Sequence, residues 1–178
     1  MFFYHHSHPE KEDGSSYYNV HEVDMALRLA VYLVRDHKVS PHRITVLATY
    51  TAQLHHLLNS RKNYNLLEDV RMTVVDNFQG EENDVIILSL VRNNSRNSIG
   101  FLRIVNRVCV ALSRARNGLY ILGNIRMLSN TSPLWSDMEK VLKEHGQIGD
   151  EISLRCDRHH EIVRKVKTNY LLVVSLDY

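Results

Sequence analysis

The sequence predicts an α/β domain with a mostly parallel sheet, and three observations carry that reading. Short apolar runs at Phe2 to Tyr4, Ile44 to Ala48, Val70 to Val75, Val85 to Val91 and Leu119 to Leu122 are separated by stretches with helical apolar spacing, the pattern of strands joined by crossover helices. The run from Val85 to Val91 is apolar on both faces, as a strand in the middle of a parallel sheet must be. A hydrophobic content of 44% in 178 residues supplies one well-buried domain with a tail rather than a disordered chain.

Taken in order, Phe2 to Tyr4 opens as a strand and gives way to a polar, turn-rich segment from His5 to Ser16, expected to be a long exposed loop. Asn19 followed by Glu22 has the logic of a capping box, with Asn in place of Ser or Thr, and Val20, Val23, Leu27, Ala30, Val31 and Val34 recur at helical spacing, which predicts a helix near 20–37. After Pro41, Ile44 to Ala48 reads as a buried strand, and Leu54, Leu57 and Leu58 give the next helix one apolar stripe. Val70 to Val75 and Val85 to Val91 are the two strongest strands. On a helical wheel for 106–116, Val108, Ala111, Leu112 and Ala115 form a stripe, with Arg107 and Arg114 on one flank and Arg116 on the opposite one. Leu119 to Leu122 reads as a strand closed by Gly123, and Leu134 to His145 as a peripheral helix carrying the only Trp.

Composition bounds the function classes. A formal charge of +2 and a pI of about 8.5 are too mild for a global field that attracts nucleic acid, so any such contact rests on local Arg and Lys. Cys109 and Cys156 sit in unlike contexts and suggest no disulfide framework, which fits an intracellular setting, cytoplasmic or nuclear. No run is long and apolar enough for a membrane span, and the opening residues lack the pattern of a secretory leader.

Two segments carry the chemistry. In Asp76-Asn-Phe-Gln-Gly-Glu-Glu-Asn-Asp84, Gly80 falls at a strand end, where a missing side chain lets backbone N–H groups approach a phosphate or ribose, although an ordinary turn also uses glycine there. Gln79 and Glu82 offer hydrogen bonds to ribose or to phosphate-bound water. In Asn106-Arg-Val-Cys-Val-Ala-Leu-Ser-Arg-Ala-Arg116, Arg114 is the sharpest candidate, because a guanidinium held in place can stabilise charge on a transferring phosphoryl group. Taken alone it reads as a surface arginine; Arg107 on the same flank and the upstream glycine tip the reading toward phosphate. Arg92 and Asn93, leaving a buried strand, are candidates for a nucleic-acid backbone or for a surface turn. Cys156-x-x-His159 is half of a zinc-ligand spacing with no second pair, so no complete metal site is expected. The chain contains no Gly-x-x-x-x-Gly-Lys-Ser/Thr and no Asp-Glu pair ending an apolar strand, so alone it is not expected to turn over ATP.

Asn19-x-x-Glu22, Tyr50-x-x-Gln53, Val75-Asp-x-Phe-Gln-Gly-x-Glu-x-Asp84, Ile86-Ile-Leu-Ser-x-Val-Arg-x-Asn94, Gly100-Phe-Leu102, Arg107-x-x-Val-Ala-Leu-Ser-Arg-Ala-Arg116 and Gly123-Asn124, in that order, resemble the second RecA-like lobe of superfamily 1 helicases of the nonsense-mediated-decay type (DNA2/NAM7-like). The wording of these motifs, with Gln147-Ile-Gly149 and the Cys-x-x-His tail, is most similar to the NF-X-type zinc-finger helicases. The resemblance implies a three-layer RecA-like domain over 1–150 that lacks its own P-loop, and a tail over 151–178 that begins a truncated zinc-finger region. It implies Gln53, Gln79, Gly80, Glu82 and Arg107 as nucleotide contacts and Arg114 as the phosphate-sensing arginine. ATP and Mg²⁺ would be held mainly by an absent first lobe, and single-stranded RNA, or DNA, would run across both. Partners in RNA silencing, heterochromatin or RNA surveillance follow from the same resemblance. The chain departs from many relatives at Leu54, where they carry Arg, and at Cys109, where they carry Asn. A non-catalytic RNA- or protein-binding module is the alternative.

Overall fold

Six strands pair side by side in the order β5-β4-β6-β7-β1-β8, every pairing parallel. They are β1 (Phe2–His5), β4 (Ile44–Ala48), β5 (Arg71–Val74), β6 (Asn83–Ser89), β7 (Ala115–Gly123) and β8 (Ile148–Gly149). The computed structural model describes residues 1–156 and 159–166, with side chains through Ile152. β6 lies inside the sheet between β4 and β7, as its apolar run requires.

Side chains alternate across the strands and divide the core in two. Ile44, Val46, Val85 and Ile87 pack under α1 (Val20–Arg35) and α2 (Thr51–Arg61), while Leu47, Ile86, Leu88 and Ile121 pack under α3 (Val105–Leu112), α4 (Ile125–Thr131) and α5 (Pro133–Glu144). The result is three layers, helices on both faces of a parallel sheet. No helix among the described residues is long and apolar enough to cross a membrane.

Several elements differ from expectation for physical reasons. The polar segment before Ser16 is half of an antiparallel hairpin, β2 (Lys11–Asp13) with β3 (Ser16–Tyr18), turning at Gly14 with φ +58°; the Asp-Gly pair was the available signal. α4 went unread, although Asn124 caps it by accepting from the Met127 N–H at 3.1 Å. α5 is not peripheral at its tryptophan, because Trp135 is fully buried and its indole N–H donates to the Leu102 carbonyl at 3.0 Å. The capping box forms only by half. Asn19 accepts from the Glu22 N–H at 3.3 Å, but its own N–H donates to Gln53 Oε1 at 2.8 Å, which leaves the Glu22 carboxylate free to turn into the core.

β9 (Ile152–Cys156) and β10 (His159–Val166) form a separate antiparallel pair. The side chains of the Cys156-x-x-His159 spacing and the last residues of the expected zinc-finger tail lie outside the described residues.

Candidate functional site

Because all six strands run one way, the sheet has two unlike ends, and the candidate residues divide between them. Gln79, Gly80, Glu82 and Arg114 belong to segments that lead into the N-terminal ends of β6 and β7, and Arg107 belongs to the helix between those strands. Gln53, Arg92 and Asn93 follow the C-terminal ends of β4 and β6.

The first group assembles. Residues 75–82 lie along the sheet face beside α3, and Val75, Asp76, Gln79, Asn106, Arg107 and Val110 line a shallow cleft of about 80 Å³. The first turn of α3 has no side-chain cap, so its N–H groups and the Arg107 guanidinium add positive potential beside the cleft. Asp76 offsets part of it, 3.4 Å from Arg107, whose guanidinium carbon also stands 5.1 Å from the Phe101 ring centre. Gly80 has φ +76°, which favours glycine, yet a Cβ there would meet nothing within 4 Å. The backbone therefore prefers glycine while the space before it stays open.

Arg114 does not project from the helix. α3 stops at Leu112, with the Ser113 N–H closing on the Cys109 carbonyl at 3.1 Å, and the chain extends at once so that Ala115 can pair with Asn83. Strand pairing overrides the helical wheel on which Arg114 and Arg107 shared a flank. Arg114 is instead held at this junction by three acceptors. Its Nε donates to the Val110 carbonyl at 2.8 Å, Nη1 to the Glu81 carbonyl at 3.2 Å, and Nη2 to Ser113 Oγ at 3.0 Å. All three acceptors are neutral, and no carboxylate pairs with this guanidinium among the described residues. The neighbouring carboxylates are already engaged: Glu81 with Arg71, Glu82 with Arg116 at 2.7 Å, and Asp84 with Arg43. Arg114 thus presents a half-buried, positioned and uncompensated positive charge next to the residue that follows Gly80, the arrangement that suits an incoming anion. Among the described residues no cluster of three or more His, Cys, Asp or Glu side chains is arranged to hold a metal ion. With Glu81, Glu82 and Asp84 all held by arginines, the donor set does not fit magnesium.

The second group is hydrogen-bonded into the fold. Gln53 is fully buried, its Oε1 accepting from Asn19 N and its Nε2 donating to Ser89 Oγ at 2.8 Å and to the Asn19 carbonyl at 3.3 Å. Both ends of its amide are engaged by groups of the fold. Arg92 is likewise turned inward, and Asn93 is half-buried. Arg92 is 4% exposed, its Nε donating to Glu10 at 3.1 Å and its guanidinium carbon 3.9 Å from the Tyr17 ring centre. Asn93 donates to the His8 carbonyl at 2.8 Å and accepts from Asn124 at 2.7 Å. A cation leaving a buried strand needs a counter-charge, and Glu10 supplies it from a segment that the sequence pattern left as a loop.

Beneath them Glu22, fully buried, accepts from His6 Nε2 at 3.0 Å, from Ser89 Oγ at 2.6 Å and from the Val91 N–H at 2.9 Å. His6 Nδ1 accepts from the His8 N–H at 3.2 Å, so the ring proton sits on Nε2 and donates to Glu22. Val91, a β-branched residue at φ +69°, is held in that costly conformation by this carboxylate. His21 stacks on His8 at 3.7 Å. Burial, together with the nearby His6 and His8, pushes its pKa down to about 3.

The family model described as "AAA domain" matches residues 1–126. Among curated proteins, the chain is 45% identical over 163 residues to "NFX1-type zinc finger-containing protein 1" of Homo sapiens, covering 90% of this chain and 8% of that protein. It is 43% identical over 164 residues to "Helicase required for RNAi-mediated heterochromatin assembly 1" of Schizosaccharomyces pombe, covering 86% and 16%. It is 38% identical over 152 residues to "Regulator of nonsense transcripts 1 homolog" of Arabidopsis thaliana, covering 82% and 12%. The chain therefore spans a small part of each of these relatives.

Proposed function

Since the chain belongs to the superfamily 1 helicases of the nonsense-mediated-decay type, we propose that it acts as the second RecA-like lobe of an ATP-dependent RNA helicase and presents Arg114 to the terminal phosphate of ATP. The observation that carries this reading is the unpaired Arg114 guanidinium, fixed by neutral acceptors beside the left-handed Gly80. Gln79 and Arg107, on the adjoining cleft, extend the surface toward the ribose and the remaining phosphates. A first lobe supplies the P-loop, which this sequence does not contain, and the metal ligands. Closure of the two lobes brings Arg114 against charge that develops on the phosphoryl group, and reopening releases it, which steps the motor along a single strand. RNA is favoured over DNA by the names of the relatives, which speak of RNAi-mediated assembly and of nonsense transcripts; partners in RNA silencing or RNA surveillance are proposed on the same ground.

The test is Arg114→Ala in a complete two-lobe protein that carries this lobe. Turnover of ATP is expected to fall by roughly 10³-fold or more, the scale of an arginine finger, with RNA affinity largely kept. Unchanged turnover would remove the role. Salt-dependent RNA binding by such a protein without ATP hydrolysis under any condition would instead favour a binding module.

A further inference from the structure

Arg116 is the second arginine of the Ser113-Arg-Ala-Arg116 run and follows Arg114 by two residues. Its Nε donates to Glu82 Oε1 at 2.7 Å and its Nη1 lies 3.7 Å from Asp84. Glu82 stands between two residues that both bond Arg114: the Glu81 carbonyl accepts from Arg114 Nη1 at 3.2 Å, and the Asn83 N–H donates to the Arg114 carbonyl at 3.0 Å. In this structure the Glu82 carboxylate is on Arg116, and Arg114 pairs with no carboxylate among the described residues. We infer that Arg116 is a positioning residue that draws the Glu82 carboxylate away from Arg114 and so keeps the Arg114 charge available to a phosphate. Arg43 on Asp84 and Arg71 on Glu81 occupy the other two carboxylates of the segment, which leaves Glu82 as the one held through Arg116. Both members of the Arg116–Glu82 pair are more than half exposed, at 54% and 57%, so the bias is expected to be about fivefold rather than absolute.

The activity consequence rests on the reading of Arg114 as a phosphate contact; the pairing itself does not, and two measurements separate them. In the 178-residue chain, the side-chain Nε–H nuclear magnetic resonance signal of Arg114 should move in Arg116→Gln, as Glu82 transfers to it, and return in the Arg116→Gln/Glu82→Gln double variant. In the two-lobe protein, R116Q should lower kcat by about fivefold in the native background and have no further effect in an E82Q background, with R116K recovering part of the loss. An Arg114 signal indifferent to R116Q overturns the inference. So does an equal kcat loss in both backgrounds, which would mean that Arg116 touches the nucleotide itself. If Arg114→Ala leaves turnover intact while the Arg114 signal still moves, the phosphate role fails and the pairing stands.

Discussion

At the scale of single residues, what distinguishes Arg114 from the other arginines near this edge is the chemistry of its acceptors. Arg43, Arg71, Arg107 and Arg116 each face a carboxylate, whereas Arg114 donates to two carbonyls and a hydroxyl. Composition and spacing pointed to this arginine, but not to its place at the junction after the helix, because the wheel continues where the chain leaves it for β7. Gly80 offers a separate test. With φ +76° and open space at its Cβ position, Gly80→Ala is expected to cost about 1 kcal/mol through the backbone alone, measured by urea unfolding. A variant as stable as the parent would show that this loop is not held left-handed in solution.

At the scale of elements, the segment after β1 acts as a strap across the C-terminal ends of the strands. Glu10 accepts from Arg92 Nε at 3.1 Å and from the Asn93 N–H at 2.6 Å, and the side chains of Glu10 and Arg92 are 6% and 5% exposed. Removing one member of a buried pair strands the other, so Glu10→Ala and Arg92→Ala should each destabilise by about 3–5 kcal/mol, read from denaturant unfolding. If Arg92→Ala weakens RNA binding without loss of stability, Arg92 meets nucleic acid after all. His8 on this strap and His21 on α1 give a pH dependence of known sign. Burial lowers the pKa of His21 from 6.5 to about 3, and burial also lowers His8. A depressed histidine pKa means that the unfolded chain binds protons more readily, so this stabilisation is complete above about pH 6.5 and is lost progressively below it. The melting temperature should fall between pH 7 and pH 5, and His21→Phe should flatten that slope; a flat profile in the parent protein contradicts the arrangement. None of this was legible in the sequence, because His6, His8 and His21 become neighbours only when β1 and α1 pack together. Asn19, Glu22, Gln53 and Ser89 were legible as motif positions, yet their partnership with one another, rather than with a ligand, depends on long-range contacts that spacing does not encode.

At the scale of the whole molecule, the parallel sheet separates two tasks. Its C-terminal end is closed by buried polar groups that satisfy one another, and the segments leading into β6 and β7, with α3 between them, keep an open cleft and an unpaired cation. The mostly parallel sheet and the inner place of β6 followed from apolar runs alternating with helical spacing, while the strand order, the short hairpin and α4 did not, for want of a strong period. The absence of a P-loop motif in this chain leads to the expectation that the purified 178-residue protein shows no ATPase activity above buffer; turnover of ATP by that protein alone would contradict it. The most direct measurement of the central claim is a structure of the complete two-lobe protein bound to ADP and a phosphoryl transition-state analogue. The Arg114 guanidinium is expected to leave at least one of its neutral acceptors to contact the analogue's oxygens. If it remains bonded to Val110, Glu81 and Ser113 with the analogue beyond its reach, the claim is contradicted.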